Sequence, residues 1–114
     1  MIRDTIKKHE DFATDDKDPI AKSRYFLIRA KRTRFPKDAR YGLVVTKKKF
    51  KHAVDRNRAK RLMRDWIAFN EKLLRRDWDY IFIARQDILE ATRTDGRVAM
   101  GKALSFLRRQ NIHA

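Results

Sequence analysis

Nine lysines and arginines stand between Lys47 and Arg64, against a single acid, Asp55. Lys47, Lys48, Lys49 and Lys51 come first as a run broken by Phe50, and Arg56, Asn57, Arg58, Lys60, Arg61 and Arg64 follow. Side chains of this kind supply no nucleophile and no general base at neutral pH. Their chemistry is phosphate binding. Lysine offers a point charge, whereas the planar fork of arginine grips two phosphate oxygens and also stacks on a base. Asn57 both donates and accepts, so it either bridges a phosphate to a neighbouring side chain or is an ordinary helix-surface amide.

The second half of this stretch reads as the start of a long helix reaching about Leu74 or Arg75. At 100° per residue, Ala59, Leu62, Trp66, Phe69 and Leu73 fall within a sector roughly 80° wide, which faces a core. Asn57, Lys60, Arg61, Arg64 and Lys72 cluster opposite, with Arg56 and Arg58 at the borders. A merely solvated helix face alternates in sign. Here like charges recur three and four residues apart, which destabilises a helix unless a polyanion neutralises them. The ridge therefore reads as a nucleic-acid face.

The rest of the composition agrees with that reading. A chain of 114 residues is one domain, residues 1–114, with room for a single modest core. Its formal net charge of +15 calls for a phosphate-rich partner, because each neutralised phosphate releases condensed counterions. The absence of cysteine excludes disulfides and thiolate metal sites and suits a reducing cytoplasm. No apolar run approaches membrane-spanning length, and Met1-Ile2-Arg3-Asp4-Thr5 holds no signal-like segment. A basic amphipathic helix can also lie on an anionic membrane, but the apolar face here carries only what a small core needs, so no membrane partner is expected.

Along the chain, residues 3–13 are expected to form a short helix with Ile6 and Phe12 as apolar contacts. Residues 14–19 form an acidic turn. Arg24–Ala30 reads as a strand, although five apolar residues in it blur the alternation. A basic loop containing Pro36 follows, then a strand over Tyr41–Thr46, expected to pair with the first as a long-looped hairpin. After the basic helix, Trp78–Ala84 is the most apolar strand and hence the central one. Residues 86–93 form a connection, and a last helix runs from about Thr94 to Arg109 with Val98, Leu104 and Leu107 towards the core. The order helix, strands, helix, strand, helix gives an α/β (α+β) sandwich with one small mixed sheet.

The segment Tyr41-Gly42-Leu43-Val44-Val45-Thr46-Lys47-Lys48, then Ala53, then Arg56-Asn57-Arg58-Ala59-Lys60-Arg61-Leu62-Met63-Arg64 resembles the signature of the bacterial ribonuclease P protein component. The likeness extends to Ile6–Phe12 and to Asp79–Arg85, in the same order. The resemblance implies a left-handed βαβ crossover between parallel strands, where general rules favour a right-handed one. It implies binding to the catalytic RNA subunit and to the 5′ leader of precursor tRNA. It implies cleavage by magnesium ions held mainly by the RNA, with no organic cofactor. Lys48, Arg56, Asn57, Arg58, Lys60, Arg61 and Arg64 are then the RNA-contacting positions, joined by Lys47, Lys49 and Lys51 of the lysine run. Phe26 and Ile28 share one face of the first strand and match positions where the family lines its leader cleft, while Phe26 as plain core is the alternative. The family's aromatic at the end of the first helix is replaced here by Ala13-Thr14-Asp15-Asp16-Lys17-Asp18.

A stand-alone nucleic-acid binder and a protein-only metal-dependent nuclease are the competing classes. Against the nuclease, His9, His52 and His113 are scattered and lack metal-ligand spacing. Asp77 and Asp79 read as a helix end and a strand start, with a magnesium site as the alternative. Asp65 and Glu71 read as partners for the arginines of the basic helix. The sequence thus predicts a non-catalytic subunit of a ribonucleoprotein enzyme, with no catalytic or metal-binding residue of its own.

Overall fold

The run Trp78–Ala84 forms a seven-residue strand whose side chains are buried on both faces apart from the half-buried Ile83. The computed structural model describes residues 17–33 and 40–110 and the backbone of residues 3–4. Within it, the strands are β1 (Arg3–Asp4), β2 (Ile20–Lys22), β3 (Phe26–Arg32), β4 (Arg40–Val44) and β5 (Trp78–Ala84). Helix α1 spans Ala53–Phe69 and α2 spans Arg93–Arg108, with short 3-10 turns at Glu71–Leu73 and Gln86–Glu90.

The sheet order is β1-β4-β5-β3-β2. The central β5 runs parallel to β4 and antiparallel to β3, while β2 is antiparallel to β3 and β1 parallel to β4. The mixed sheet and its helical crossover, β4 to α1 to β5, agree with the expected α+β architecture. The expected hairpin does not form, because β5 lies between β3 and β4. Strand pairing is a long-range choice, and the apolar β5 takes the middle position because it alone can be buried on both sides. Residues 3–4 extend beside β4, so the helix expected over residues 3–13 does not begin at its start. Ile6 and Phe12 lie outside the described residues.

The two faces of the sheet differ. Phe26, Ile28 and Ala30 of β3 align with Ala84, Phe82 and Tyr80 of β5, and all six are essentially inaccessible. This face carries the helices. Trp66 of α1 packs on both Tyr25 and Phe26, with ring centroids 6.1 Å apart in each pair. Leu27, Arg29 and Lys31 point to the opposite face and are half-buried. Phe26 and Ile28 are therefore core residues, each 0% exposed, and the expected leader cleft does not use them. The apolar run in β3 hid the alternation that separates its faces.

The buried residues of α1 are Ala59, Met63, Trp66 and Ile67. That sector is rotated by roughly 60° from the expected one. Leu62 is half-buried, and Phe69 is 61% exposed. The rotation follows from the neighbours of α1, which packs against α2 and the Gln86–Glu90 turn as well as the sheet. Gly96 makes the helix contact possible, since a Cβ there would collide with the Trp66 indole. In α2 the buried positions are Gly96, Met100, Ala103, Leu104 and Leu107, whereas Val98, expected in the core, is 52% exposed. Thr92 caps α2 by accepting a hydrogen bond from the Asp95 amide at 3.1 Å.

Candidate nucleic-acid interface

Leaving β4, the chain makes a tight turn in which the Phe50 amide donates to the Thr46 carbonyl at 3.0 Å. Phe50 is 3% exposed and plugs this turn into the core. Lys47, Lys48, Lys49 and Lys51 around it are exposed. The lysine run is thus presented by a buried aromatic that the composition of the stretch did not single out.

Helix α1 follows directly. Arg56 donates from one guanidinium nitrogen to the carbonyls of Phe50 (2.8 Å) and Lys51 (3.0 Å). It is half-buried and ties the lysine turn to the first turn of the helix. Of the predicted RNA contacts, Arg56 is therefore also a positioning residue. Asn57, Arg61 and Arg64 are exposed on the side of α1 away from Met63 and Trp66, with the exposed Arg58 and the half-buried Lys60 at its two borders. Among the described residues, Arg58, Lys60 and Arg61 have no carboxylate partner.

Elsewhere, arginines meet acids. Arg40 contacts Asp79 at 2.6 Å, with the Asp79 side chain 1% exposed. Arg75 pairs with Asp77 at 2.8 Å, and Arg24 with Asp87 and Glu90 at 3.1 and 2.9 Å. Asp77 and Asp79 thus each pair with an arginine. Asp65 turns away from the ridge to hold Arg97 of α2 through two hydrogen bonds of 3.1 Å. The hydrogen bond from Arg97 keeps the Asp65 carboxyl below the ordinary carboxylate range, against the opposing effect of partial burial. Among the described residues, no group of three or more His, Asp or Glu is placed to hold a metal ion. Nor is any helix among them long and apolar enough to cross a membrane.

A mixed sheet with a cation-rich crossover helix, entered through a lysine turn, is the setting for the likeness to known proteins. The family model for ribonuclease P matches residues 3–108. The chain belongs to the ribonuclease P protein family. The ribonuclease P protein component of Pseudomonas putida is 41% identical over 70 residues, covering 61% of this chain and 52% of that relative. The component from a Marinomonas species is 38% identical over 87 residues, covering 76% of this chain and 64% of that relative. The chain spans about half the length of the Pseudomonas putida relative it matches. The RNase P protein of Staphylococcus aureus superposes with a TM-score of 0.74 at 28% identity, over 91% of this chain and 93% of that one. The Thermotoga maritima RNase P protein, at 23% identity and a TM-score of 0.62, shares the fold over 83% and 86% of the two chains.

For this ribonuclease P family chain, the structure also gathers residues that the sequence reading left out. Arg85, immediately after β5, and Arg24, before β3, stand with Lys49 around an open recess of about 510 Å³. The side-chain amide of Gln86 donates to the Lys49 carbonyl at 3.3 Å, and Arg85 donates to the Ser23 carbonyl at 2.8 Å. The basic surface of the lysine turn thereby continues past the end of β5. The available signal was the position of Arg85 at the exit of the central strand.

Proposed function

We propose that the chain is the protein subunit of the ribonuclease P ribonucleoprotein. In this reading it binds the catalytic RNA and the 5′ leader of precursor tRNA. It thereby promotes endonucleolytic removal of the leader to give the mature tRNA 5′ end. The observation that carries the proposal is the exposed stripe Asn57, Arg58, Arg61 and Arg64 on the crossover helix α1 of a family member, where Arg58 and Arg61 meet no carboxylate among the described residues.

The physical account is electrostatic. Arg58 and Arg61, three residues apart on α1, are like charges at neighbouring positions, and RNA phosphates would remove that repulsion while releasing counterions. Lys47, Lys48, Lys49 and Lys51 extend the contact as point charges. The chemistry is assigned to RNA-bound magnesium, because the ridge offers Asp55 as its one carboxylate besides the engaged Asp65 and is otherwise hostile to a divalent cation. No residue of the chain is given a catalytic role. The leader is assigned to the sheet face carrying Leu27, Arg29 and Lys31, since the other face is filled by the helices. The cytoplasm, where precursor tRNA is found, is the proposed location.

Reconstitution tests this reading. The chain is added to a bacterial ribonuclease P RNA at low magnesium, and 5′ processing of a precursor tRNA is assayed. The expected result is strong stimulation at low magnesium, fading as magnesium rises and screens the RNA by itself. Cleavage by rigorously RNA-free protein would overturn the non-catalytic assignment.

A further inference from the structure

Phe69 was expected in the core and is instead among the most exposed large apolar side chains, at 61%. Its ring is not loose on the surface. The Arg97 guanidinium lies over it at 4.4 Å from the centroid, and Arg97 is itself fixed by the two hydrogen bonds to Asp65. Beside this ring, between the end of α1 and α2, runs an open groove of about 470 Å³. Its floor is kept low by small residues, Gly101 and Ser105, and its rim carries Lys102 and Arg109. A Cβ on Gly101 would come within 2.9 Å of the Asn70 Oδ1. The Asn70 amide nitrogen donates to the carbonyls of Trp66 (2.9 Å) and Arg97 (3.0 Å), which leaves Oδ1 as an acceptor at the groove.

We propose that this groove binds an unpaired RNA nucleotide, with its base stacked on Phe69, an exocyclic amino group donating to Asn70 Oδ1, and flanking phosphates on Lys102 and Arg109. The proposal rests on the RNA-binding reading above and adds a second site to it. An aromatic held rigid by an arginine is a stacking platform, and a site of this kind captures single strands. The occupant is RNA on two grounds. The rim is cationic in a chain of net charge +15, so a second copy would face like charge with like. Phe69 also closes the same helix that presents Arg58 and Arg61, so one strand can run from ridge to groove.

The test uses the full chain with end-labelled oligo(A) and oligo(U) dodecamers, a duplex RNA of equal charge, and a bacterial ribonuclease P RNA. Oligo(U) lacks the amino donor. The wild type is expected to bind oligo(A) more tightly than oligo(U). Phe69→Ala should lose about 5- to 150-fold for oligo(A), the value of one stacked base. It should also erase the preference for oligo(A) and leave duplex affinity and the salt slope unchanged. Phe69→Trp should restore oligo(A) binding. Because the ring is exposed, both variants should melt with the wild type. Unchanged oligo(A) affinity in Phe69→Ala, or an equal loss for the duplex, would overturn the site. So would a glutamate-rich peptide containing tryptophan that needs Phe69 while oligo(A) does not. Failure of the wild type to bind ribonuclease P RNA would instead sink the underlying functional reading.

Discussion

Two groups of arginines among the described residues make a contrast. Arg24, Arg40, Arg75 and Arg97 each meet a carboxylate at 3.1 Å or closer. They lie where strands, turns or α2 must be held in register. Arg58 and Arg61, three residues and so just under one turn apart on α1, have no such partner among the described residues. Asp65 lies on the same helix, yet it serves Arg97 on α2. In the first four the counter-charge comes from within the chain. In the proposed reading, the counter-charge of Arg58 and Arg61 comes from RNA.

The sharpest way to break this comparison is to remove the acid from a structural pair. Asp79→Ala takes away a carboxylate that is 1% exposed and bonded to Arg40 at 2.6 Å. Breaking a buried pair of this kind costs about 3–5 kcal/mol. Chemical denaturation should show that loss, while RNA affinity measured below the melting transition stays near wild type. Next comes the helix contact that turns the ridge outward. Gly96→Ala drives a methyl into the Trp66 indole and should cost about 1–3 kcal/mol, again without a direct effect on RNA contacts. A thermal melt matching wild type would show that α2 does not fix the rotation of α1.

On the unpartnered side the signs reverse. Arg61→Ala removes no buried contact and relieves repulsion, so the melting temperature should hold or rise slightly. RNA affinity should drop, and the salt slope of binding should fall by about one unit.

The smallest effect concerns Tyr80, whose hydroxyl accepts from the Arg75 amide at 3.0 Å. Burial pushes its pKa up to about 12. The folded state then keeps its proton above pH 10 while the unfolded state releases it, so the stability contributed below pH 10 declines as pH rises from 10 to 12. Tyr80→Phe should flatten that decline in alkaline melts, and an unchanged slope would mean that another group controls it.

What could be read from the sequence follows from the range of the interactions involved. The central strand Trp78–Ala84 was legible to the residue, because a run that is apolar but for Asp79 and is bounded by Arg76-Asp77 is a local signal. The basic stripe of α1 was legible for the same reason. The partner of β3 was not, since β5 lies some fifty residues downstream in the chain and nothing local selects it over β4. The face of β3 was ambiguous because Tyr25, Phe26, Leu27 and Ile28 are all apolar, and Phe26 and Ile28 went to the core. The rotation of α1 depended on its packing against α2, where Trp66 meets Gly96, and against the Gln86–Glu90 turn, and it left Phe69 exposed, as Val98 is on α2. Arg56 was recognised as basic, but its hold on the lysine turn is a matter of geometry.

The central claim is that Arg58, Lys60 and Arg61 stand unpaired because RNA neutralises them. The most direct test combines Arg58→Gln, Lys60→Gln and Arg61→Gln in one chain. Its melting temperature without RNA is then measured beside the salt dependence of its affinity for a bacterial ribonuclease P RNA. The account predicts a melting temperature equal to or above wild type and a salt slope lower by about two to three units. A lower melting temperature with an unchanged salt slope would contradict it, and would make the ridge part of the fold.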